Sequence, residues 1–155
     1  AFASFPGISE IVVHGSIAAM VSEQCLPGGA CGERTRNTAC TSPCTRGDYC
    51  LKDRLGLRFP IETDRFCRMY LYNSRTLDLL ENLGALAALN PRSLRLEIRR
   101  LPAEYTARVV EIYRREIDRA CESLTDYQPL AGSREAVRLL TGGETTRGHL
   151  FRGVD

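Results

Sequence analysis

The clearest pattern along the chain is a set of short apolar or alternating segments that stop at glycine, proline or asparagine. Residues 10–14, EIVVH, are a compact apolar run that ends at Gly15, which predicts a buried strand. Residues 67–73, CRMYLYN, and 93–100, SLRLEIRR, alternate between two kinds of side chain, which predicts two further strands with unlike faces. These patterns predict three strands in this chain.

A second pattern predicts a hairpin and a long loop. Residues 49–54 and 57–63 are β-like segments that flank Leu55 and Gly56, so we predict a hairpin with its turn there. Residues 26–48 are rich in Gly, Pro, Thr, Asn and Arg and have no hydrophobic period. An irregular loop of this length within a compact domain is usually functional or disordered.

Helical spacing of apolar positions predicts three helices. The first follows Ser74 as N-cap and ends at Asn90-Pro91, the second spans residues 102–124, and the third covers Ser133–Thr141 with Ser133 as N-cap. A helical turn is also predicted after Ser16. On the long helix we expect a solvated charged face, made of Glu104, Arg108, Glu111, Arg115, Glu116 and Arg119.

The β–α–β–α order from residue 67 to residue 124 indicates an α/β fold. A closed barrel needs eight such units, and this chain has too few of them. The length of 155 residues is enough for one domain with a real core. The chain opens at Ala1 rather than at methionine, so we expect it to be a piece of a longer protein.

Composition narrows the function classes. The formal net charge of +2 favours no nucleic-acid partner by itself, and the basic residues are nearly all arginine, with Lys52 the one lysine. No segment reaches the roughly 20 apolar residues that a membrane span needs. The start shows no secretory signal, so we expect a reducing, cytoplasmic environment and no membrane partner.

Cysteines are the main candidates for chemistry. Seven are present, and six of them lie between Cys25 and Cys67; the full set is Cys25, Cys31, Cys40, Cys44, Cys50, Cys67 and Cys121. An odd number without a secretory signal argues against a disulfide framework. Cys40 and Cys44 are spaced C-x₃-C, whereas zinc sites usually contain C-x₂-C, and iron–sulfur clusters tolerate irregular spacing. Spacing leaves zinc and a cluster equally favoured, with unliganded cysteines as the third possibility.

Several motifs resemble those of the collagenase-like peptidases, peptidase family U32. They are EIVVHG-x₉-C, then C-x₃-C, then YCLKDRLGLRFPIETDRFCRMYLYNS, SLRLEIRR-LPAEYTARVVEIYRREID and TTRGHLFRGVD. The resemblance implies that residues 1–155 are the C-terminal portion of a TIM-barrel-like domain whose N-terminal part supplies the remaining strands. Residues 25–67 would be a cysteine-rich insertion with a β-hairpin, and residues 93–124 the final strand and helix.

The resemblance also implies a cofactor and an activity. Members of the family that modify RNA or act in quinone biosynthesis are oxygen-independent hydroxylases with a four-iron, four-sulfur cluster, and other members were first described as proteases. Matched motif by motif, the cluster ligands here would be Cys25, Cys40, Cys44 and Cys67. The substrate would be RNA, either rRNA or tRNA, and the oxygen donor would be a small organic molecule. A peptidase and a zinc-binding interaction module remain the alternatives.

One departure affects the ligand set. Many relatives have a cysteine where this chain has Ala18, so its ligands must differ from theirs, and Cys31 or Cys50 can replace one of the four. The string L-x-DR-x-G-x-x-FP at Leu51–Pro60 resembles the rRNA-hydroxylase branch more closely.

Three polar residues outside the cysteine run are candidate catalytic groups. His14 ends an apolar strand, a position that is more often structural but that lines the active site in a barrel. Glu97 and Arg99 match an E-x-R arrangement of the family and can grip a carboxylate or a phosphate. A surface salt bridge is the alternative explanation for this pair. The chain contains no HExxH or GxSxG motif.

Overall fold

A computed structural model describes residues 9–35, 37–148 and 150 of the chain. The chain divides into two compact units: one is formed by Ile17–Ser74, and the other by the residues before and after that segment. His149 and most of the final motif of the sequence lie outside the described residues.

Within the described residues the strands and helices follow in a mixed order. The strands are β1 (Glu10–Gly15), β2 (Ala18–Ser22), β3 (Tyr49–Lys52), β4 (Arg58–Thr63), β5 (Met69–Tyr72), β6 (Thr76–Asp78), β7 (Ser93–Glu97) and β8 (Thr145–Thr146). The α-helices are α1 (Leu26–Ala30), α2 (Leu83–Ala88), α3 (Ala103–Glu122) and α4 (Ala131–Leu140), with 3₁₀ turns at Pro43–Thr45 and Leu80–Asn82.

The unit that contains the chain's first and last described residues is built on a mixed sheet of order β7-β1-β6-β8. β1 pairs parallel with β7 and antiparallel with β6, which makes it a central strand. Val13 and His14 are fully buried in it, as the apolar run of the sequence predicts. The predicted strand at residues 10–14 is therefore confirmed.

The predicted long helix is confirmed as α3, which begins after Pro102. Its apolar stripe faces the core, and Val109, Ile112 and Ala120 have no exposed surface. The tyrosine in the same stripe, Tyr113, is buried with them. The Tyr113 hydroxyl reaches the mixed sheet, where it lies 3.2 Å from the carbonyl oxygen of Val13 in β1.

Glu116 corrects the prediction that α3 carries only a solvated charged face. Its side chain has no exposed surface and accepts hydrogen bonds from the hydroxyls of Ser133 at 2.5 Å and Tyr127 at 3.1 Å. Arg119 lies 2.8 Å away on the same helix. Ser133 is thus a buried donor inside α4, which begins at Ala131, and not the predicted N-cap. A buried carboxylate is tolerated here because each oxygen has partners.

We expect Glu116 to make stability depend on acid. Burial would raise the pKa of this carboxyl, but the hydrogen bonds from Ser133, Tyr127 and Arg119 outweigh burial and hold it below its ordinary value of 4.5. A lowered pKa in the folded state means that the stabilisation is complete above about pH 4.5 and is lost as the pH falls through the lowered value. Glu116→Gln should lower the unfolding free energy by roughly 2 kcal/mol at pH 7.

Urea denaturation of both proteins between pH 7 and about pH 3 measures this effect. The difference in unfolding free energy between wild type and Glu116→Gln should shrink on acidification. Glu111→Gln is the matched control, because Glu111 is exposed and pairs with Arg108 on the surface of the same helix. A difference that stays constant down to pH 3 would contradict the assignment.

The segment that precedes α2 differs from the predicted helix. The helix begins only at Leu83, because Thr76–Asp78 forms β6 between β1 and β8, so Ser74 is not its N-cap. The leucines of the segment are nevertheless buried, as their spacing predicts; they are Leu77, Leu80, Leu83 and Leu86. The predicted end at Asn90-Pro91 is confirmed, with Asn90 in the left-handed conformation at φ 52°.

The unit formed by Ile17–Ser74 contains an antiparallel sheet of order β2-β5-β4-β3. The predicted hairpin is confirmed, with Tyr49 opposite Ile61 and its turn held by Asp53, which accepts the N–H groups of Leu55 and Leu57. The helical turn predicted after Ser16 is wrong, since residues 18–22 form β2 along β5. The loop prediction holds apart from the short α1 and one 3₁₀ turn.

The described residues thus form a mixed α/β protein with two open sheets and four α-helices. They form no closed barrel, so the origin in a TIM-barrel-like domain stays a prediction. β1 is parallel to β7, which α3 follows along the chain, whereas β6 runs antiparallel on the other side of β1. None of the helices in the described part is both long and apolar enough to cross a membrane.

Candidate functional sites

Cys25 is the N-cap residue of the short helix α1 and is buried. Its thiol accepts a hydrogen bond from the N–H of Gly28 at 3.3 Å, so a sulfur atom occupies the place of an N-cap oxygen. The side chain borders an open cavity of about 540 Å³ that Arg34 and Gly29 also line. This position gives Cys25 an oriented sulfur and access to solvent through the cavity.

Cys40 lies next to Cys25 because two glycines leave room for its sulfur. A Cβ on Gly28 would lie 3.3 Å from the Sγ atoms of both cysteines, so the two sulfurs are separated by no more than twice that distance. A Cβ on Gly32 would lie 2.9 Å from the Sγ of Cys40, too close for any side chain. The Sγ of Cys40 also accepts the N–H of Ser42 at 3.3 Å. Two sulfurs are thus held close together, each with a backbone donor.

Strand register brings Cys67 to the same end of the antiparallel sheet. Ser22, at the end of β2, lies opposite Met69, at the start of β5. Because the strands run in opposite directions, the segment that follows Ser22 and the segment that precedes Met69 leave the sheet together. Cys25 lies in the first segment and Cys67 in the second. Cys67 is exposed, in the left-handed conformation at φ 60°.

Cys44 reaches this end of the sheet from the loop. It lies in the 3₁₀ turn at Pro43–Thr45 and lines a cavity of about 160 Å³ with Pro27 of α1 and Thr63. Thr63 ends β4 and lies opposite Met69, which starts β5. The four predicted ligands therefore lie around one end of one sheet.

Of the remaining three cysteines, two lie in the same unit as the predicted ligands and one lies on α3 of the other unit. Cys31 is exposed at the C-terminal end of α1, Cys50 lies within β3 opposite Pro60, and Cys121 is exposed on α3. Within the described residues, no three His, Cys, Asp or Glu side chains are arranged to hold a metal ion together. Three features nevertheless fit a thiolate-bound centre. The donors are thiols, Cys25 and Cys40 lie close together, and both of their sulfur atoms accept backbone N–H groups. Gly28 and Gly32, which we call the glycine cradle, leave the space beside these sulfurs open.

His14 belongs to a separate cluster in the other unit. Its ring has no exposed surface, its Nε2 lies 2.9 Å from the hydroxyl of Tyr105, and its Nδ1 lies 3.3 Å from that of Tyr113. The Tyr113 hydroxyl donates to Asp78 at 2.7 Å. The sequence did not indicate Tyr105, Tyr113 or Asp78 as site residues, because the first two appear only as helix core and the third as part of a helix.

The electrostatics of the cluster give its hydrogen bonds a direction. Burial first, then the charge of Asp78, raises the pKa of Tyr105 to about 12 and that of Tyr113 well above its usual range, so both hydroxyls keep their protons. Burial would raise the pKa of Asp78, but His14 and the Tyr113 hydroxyl lower it below its usual value. A consistent chain then runs from the Tyr105 hydroxyl through His14 and Tyr113 to the Asp78 carboxylate.

This chain of groups can hold or move a proton, but His14 cannot touch a substrate directly while it is fully buried. The half-buried Tyr105 and the partly exposed Asp78 are the ends that reach the surface of the unit. The ring's partners are tyrosine hydroxyls and a carboxylate, and none of them is a nucleophile of the kind that a serine or cysteine peptidase uses.

Glu97 lies at the end of β7 between two arginines. Its carboxylate accepts from Arg99 at 2.6 Å and from Arg95 at 2.5 Å, and Arg95 also pairs with Glu10 on β1. Burial would raise the pKa of Glu97, but the hydrogen bonds from Arg95 and Arg99 lower it. The pair predicted from E-x-R does form, and the carboxylate is engaged as an ion-pair partner of guanidinium groups.

Comparison with known proteins agrees with the motifs. The model of Peptidase family U32 matches residues 7–153, which is nearly the whole chain. A search of the curated proteins finds no match, and a search of the solved structures finds none either. On the strength of the family match the chain belongs to peptidase family U32.

Proposed function

We propose that this U32 chain is part of an iron–sulfur-dependent, oxygen-independent hydroxylase that acts on RNA. The observation that carries the proposal is the placement of Cys25, Cys40, Cys44 and Cys67 around one end of the antiparallel sheet. Iron–sulfur clusters are held mainly by cysteine thiolates, and N–H groups directed at sulfur stabilise the negative charge of such centres. When bound, the cluster supplies electron transfer.

The ligands would be those four cysteines, with the glycines at positions 28 and 32 keeping the space between sulfurs open. Gly28 and Ser42 would continue to donate their N–H groups to the sulfurs of Cys25 and Cys40. A small organic molecule would provide the hydroxyl oxygen, and rRNA or tRNA would be the acceptor. These assignments extend the motif resemblance to this chain.

The second unit would contribute polar groups of its own. Tyr105 and Asp78 end a hydrogen-bonded chain through the buried His14, which suits a group that stores or transfers a proton. Arg99, most of whose side chain is exposed, suits a contact with a carboxylate or phosphate while Glu97 orients it.

Anaerobic purification followed by an absorbance scan and metal analysis tests the cofactor. We expect a brown protein with a broad band near about 400 nm and about four irons per chain. A colourless protein with zinc as its metal would contradict the proposal and favour a zinc-binding interaction module. Incubation of the loaded protein with RNA and candidate donors, followed by mass analysis of the nucleosides, tests for the added oxygen atom.

The peptidase alternative follows from the name of the family, and no catalytic nucleophile is paired with His14 in the described residues. Cleavage of collagen-type peptides that survives both Cys25→Ala and Cys44→Ala would favour it over the hydroxylase. If neither the wild type nor the variants cleave these peptides, the hydroxylase stays the function that fits the cysteines.

A further inference from the structure

Phe66 is an exposed aromatic ring that lies close to two arginine side chains. Its side chain is 63% exposed, at the turn between β4 and β5. The guanidinium carbon of Arg65 lies 4.7 Å from the ring centroid, and that of Arg68 lies 5.4 Å from it. Both distances are within the range of cation–π contacts. A flat apolar ring and two positive charges are therefore presented together on the surface of the Ile17–Ser74 unit.

The turn that carries Phe66 is held by one carboxylate. Asp64 accepts the backbone N–H of Phe66 at 2.9 Å and that of Arg68 at 3.0 Å through Oδ1. Its Oδ2 accepts from the guanidinium of Arg68 at 2.6 Å and from the hydroxyl of Tyr70 at 3.3 Å. The backbone closes the turn as well, with Cys67 donating to Asp64. The ring is thus presented by a braced turn, which reduces the entropy lost on binding.

The charges of the turn are unequally engaged. Arg68 is tied to Asp64 by an ion pair of 2.6 Å. Arg65 is exposed, lies over the Phe66 ring and forms no ion pair within the described part of the chain. Arg68 therefore fixes the turn, while Arg65 is available for an anionic ligand.

This combination matches the chemistry of an unpaired nucleotide. A single exposed ring is too small for a protein interface, whose core needs a contiguous apolar patch, and its sequence neighbours Arg65 and Cys67 are exposed too. One ring is enough to stack one base, at about 1–3 kcal/mol, and an adjacent arginine can take the phosphate. Bases within a duplex are already stacked, so the ligand has to be single-stranded.

We propose that Phe66, with Arg65 and Arg68, is a stacking platform for an unpaired base of single-stranded RNA. The proposal rests on the proposed function for the choice of RNA, and it adds the form of the RNA and the residue that binds it. Because Cys67 follows Phe66 directly and is one of the four candidate cluster ligands, the platform holds the RNA strand at the cysteine-bearing end of the sheet.

Fluorescence anisotropy with a labelled single-stranded RNA of about 12 nucleotides tests the platform on the anaerobically purified chain. Phe66→Ala should weaken binding by about 5- to 150-fold, whereas Phe66→Tyr, which keeps the ring, should stay within about 2-fold of wild type. Arg65→Gln should reduce the salt slope of binding by about one. Leu55→Ala is the matched control, because Leu55 is 79% exposed at the opposite end of β4 and should change nothing.

Equal binding by wild type and Phe66→Ala would overturn the platform, and so would the absence of any single-stranded RNA binding by the wild type. Tighter binding of a duplex of the same sequence, or of an acidic peptide, would overturn it too. Iron content and absorbance measured on the same samples test the cluster separately. A colourless protein that still loses RNA binding on Phe66→Ala would support the platform while removing the hydroxylase.

Discussion

Gly15→Ala is expected to abolish the native structure of the unit that contains β1. A Cβ at this position would lie 1.9 Å from the carbonyl oxygen of Glu97 and 2.5 Å from its carbonyl carbon. These atoms belong to the backbone of β7, and the same oxygen accepts the N–H of Ser16 at 3.0 Å, so no side-chain rotation relieves the overlap. The φ angle of +120° is in addition strained for any residue except glycine.

The loss of stability should reach at least about 4 kcal/mol, which is comparable to the whole stability of many domains. Urea denaturation followed by circular dichroism measures it. Gly132→Ala is the matched control: it lies in α4, and a Cβ there meets nothing within 4 Å. That variant should be as stable as wild type or gain up to about 1 kcal/mol. A loss below 1 kcal/mol for Gly15→Ala would contradict the packing of β1 against β7.

The elements that the sequence predicts correctly are those whose signal is local. β1, the hairpin of β3 and β4, and α3 each carry a period or a turn that one short window displays. β2 and β6 were missed because their state depends on partners far along the chain. The residues of β2 are mostly exposed and are extended because they pair with β5, and β6 is extended because β1 and β8 lie on either side of it.

Side-chain environments show the same division between local and distant information. Spacing placed Glu116 on a charged helix, and its burial follows from Ser133 and Tyr127, which another segment brings to it. In the same way His14 stood out as a strand-end histidine, while its partners Tyr105 and Asp78 come from separate elements. A single sequence identifies a reactive group more readily than the residues that orient it.

The cysteines illustrate what a motif adds to spacing. The spacing of the cysteines favours zinc and an iron–sulfur cluster equally. The family motifs then indicate four of the seven cysteines as cluster ligands. The glycine cradle at Gly28 and Gly32 had no signal beyond a Gly-rich loop, because its role depends on where Cys40 folds back. Register in the antiparallel sheet then relates Cys25 to Cys67, which are separated by the hairpin in sequence.

Removal of Cys25 or Cys40 is expected to remove the iron. Cys25→Ser keeps an N-cap acceptor for Gly28 and Cys40→Ser keeps one for Ser42, so both variants should fold while losing a thiolate. Iron should fall from about four atoms per chain to below about one, with loss of the visible band. Metal analysis and absorbance of anaerobically purified samples measure this, and circular dichroism verifies the fold.

Two control variants test whether the loss of iron is specific to the proposed ligands. Cys121→Ser, on the exposed face of α3 in the other unit, and Cys50→Ser, inside β3, should retain the iron of the wild type. If Cys50→Ser or Cys31→Ser removes the iron and Cys67→Ser does not, the assignment of Cys67 as a ligand is wrong. Iron that survives Cys25→Ser and Cys40→Ser together would contradict the metal centre, because these are the two sulfurs that the fold holds side by side.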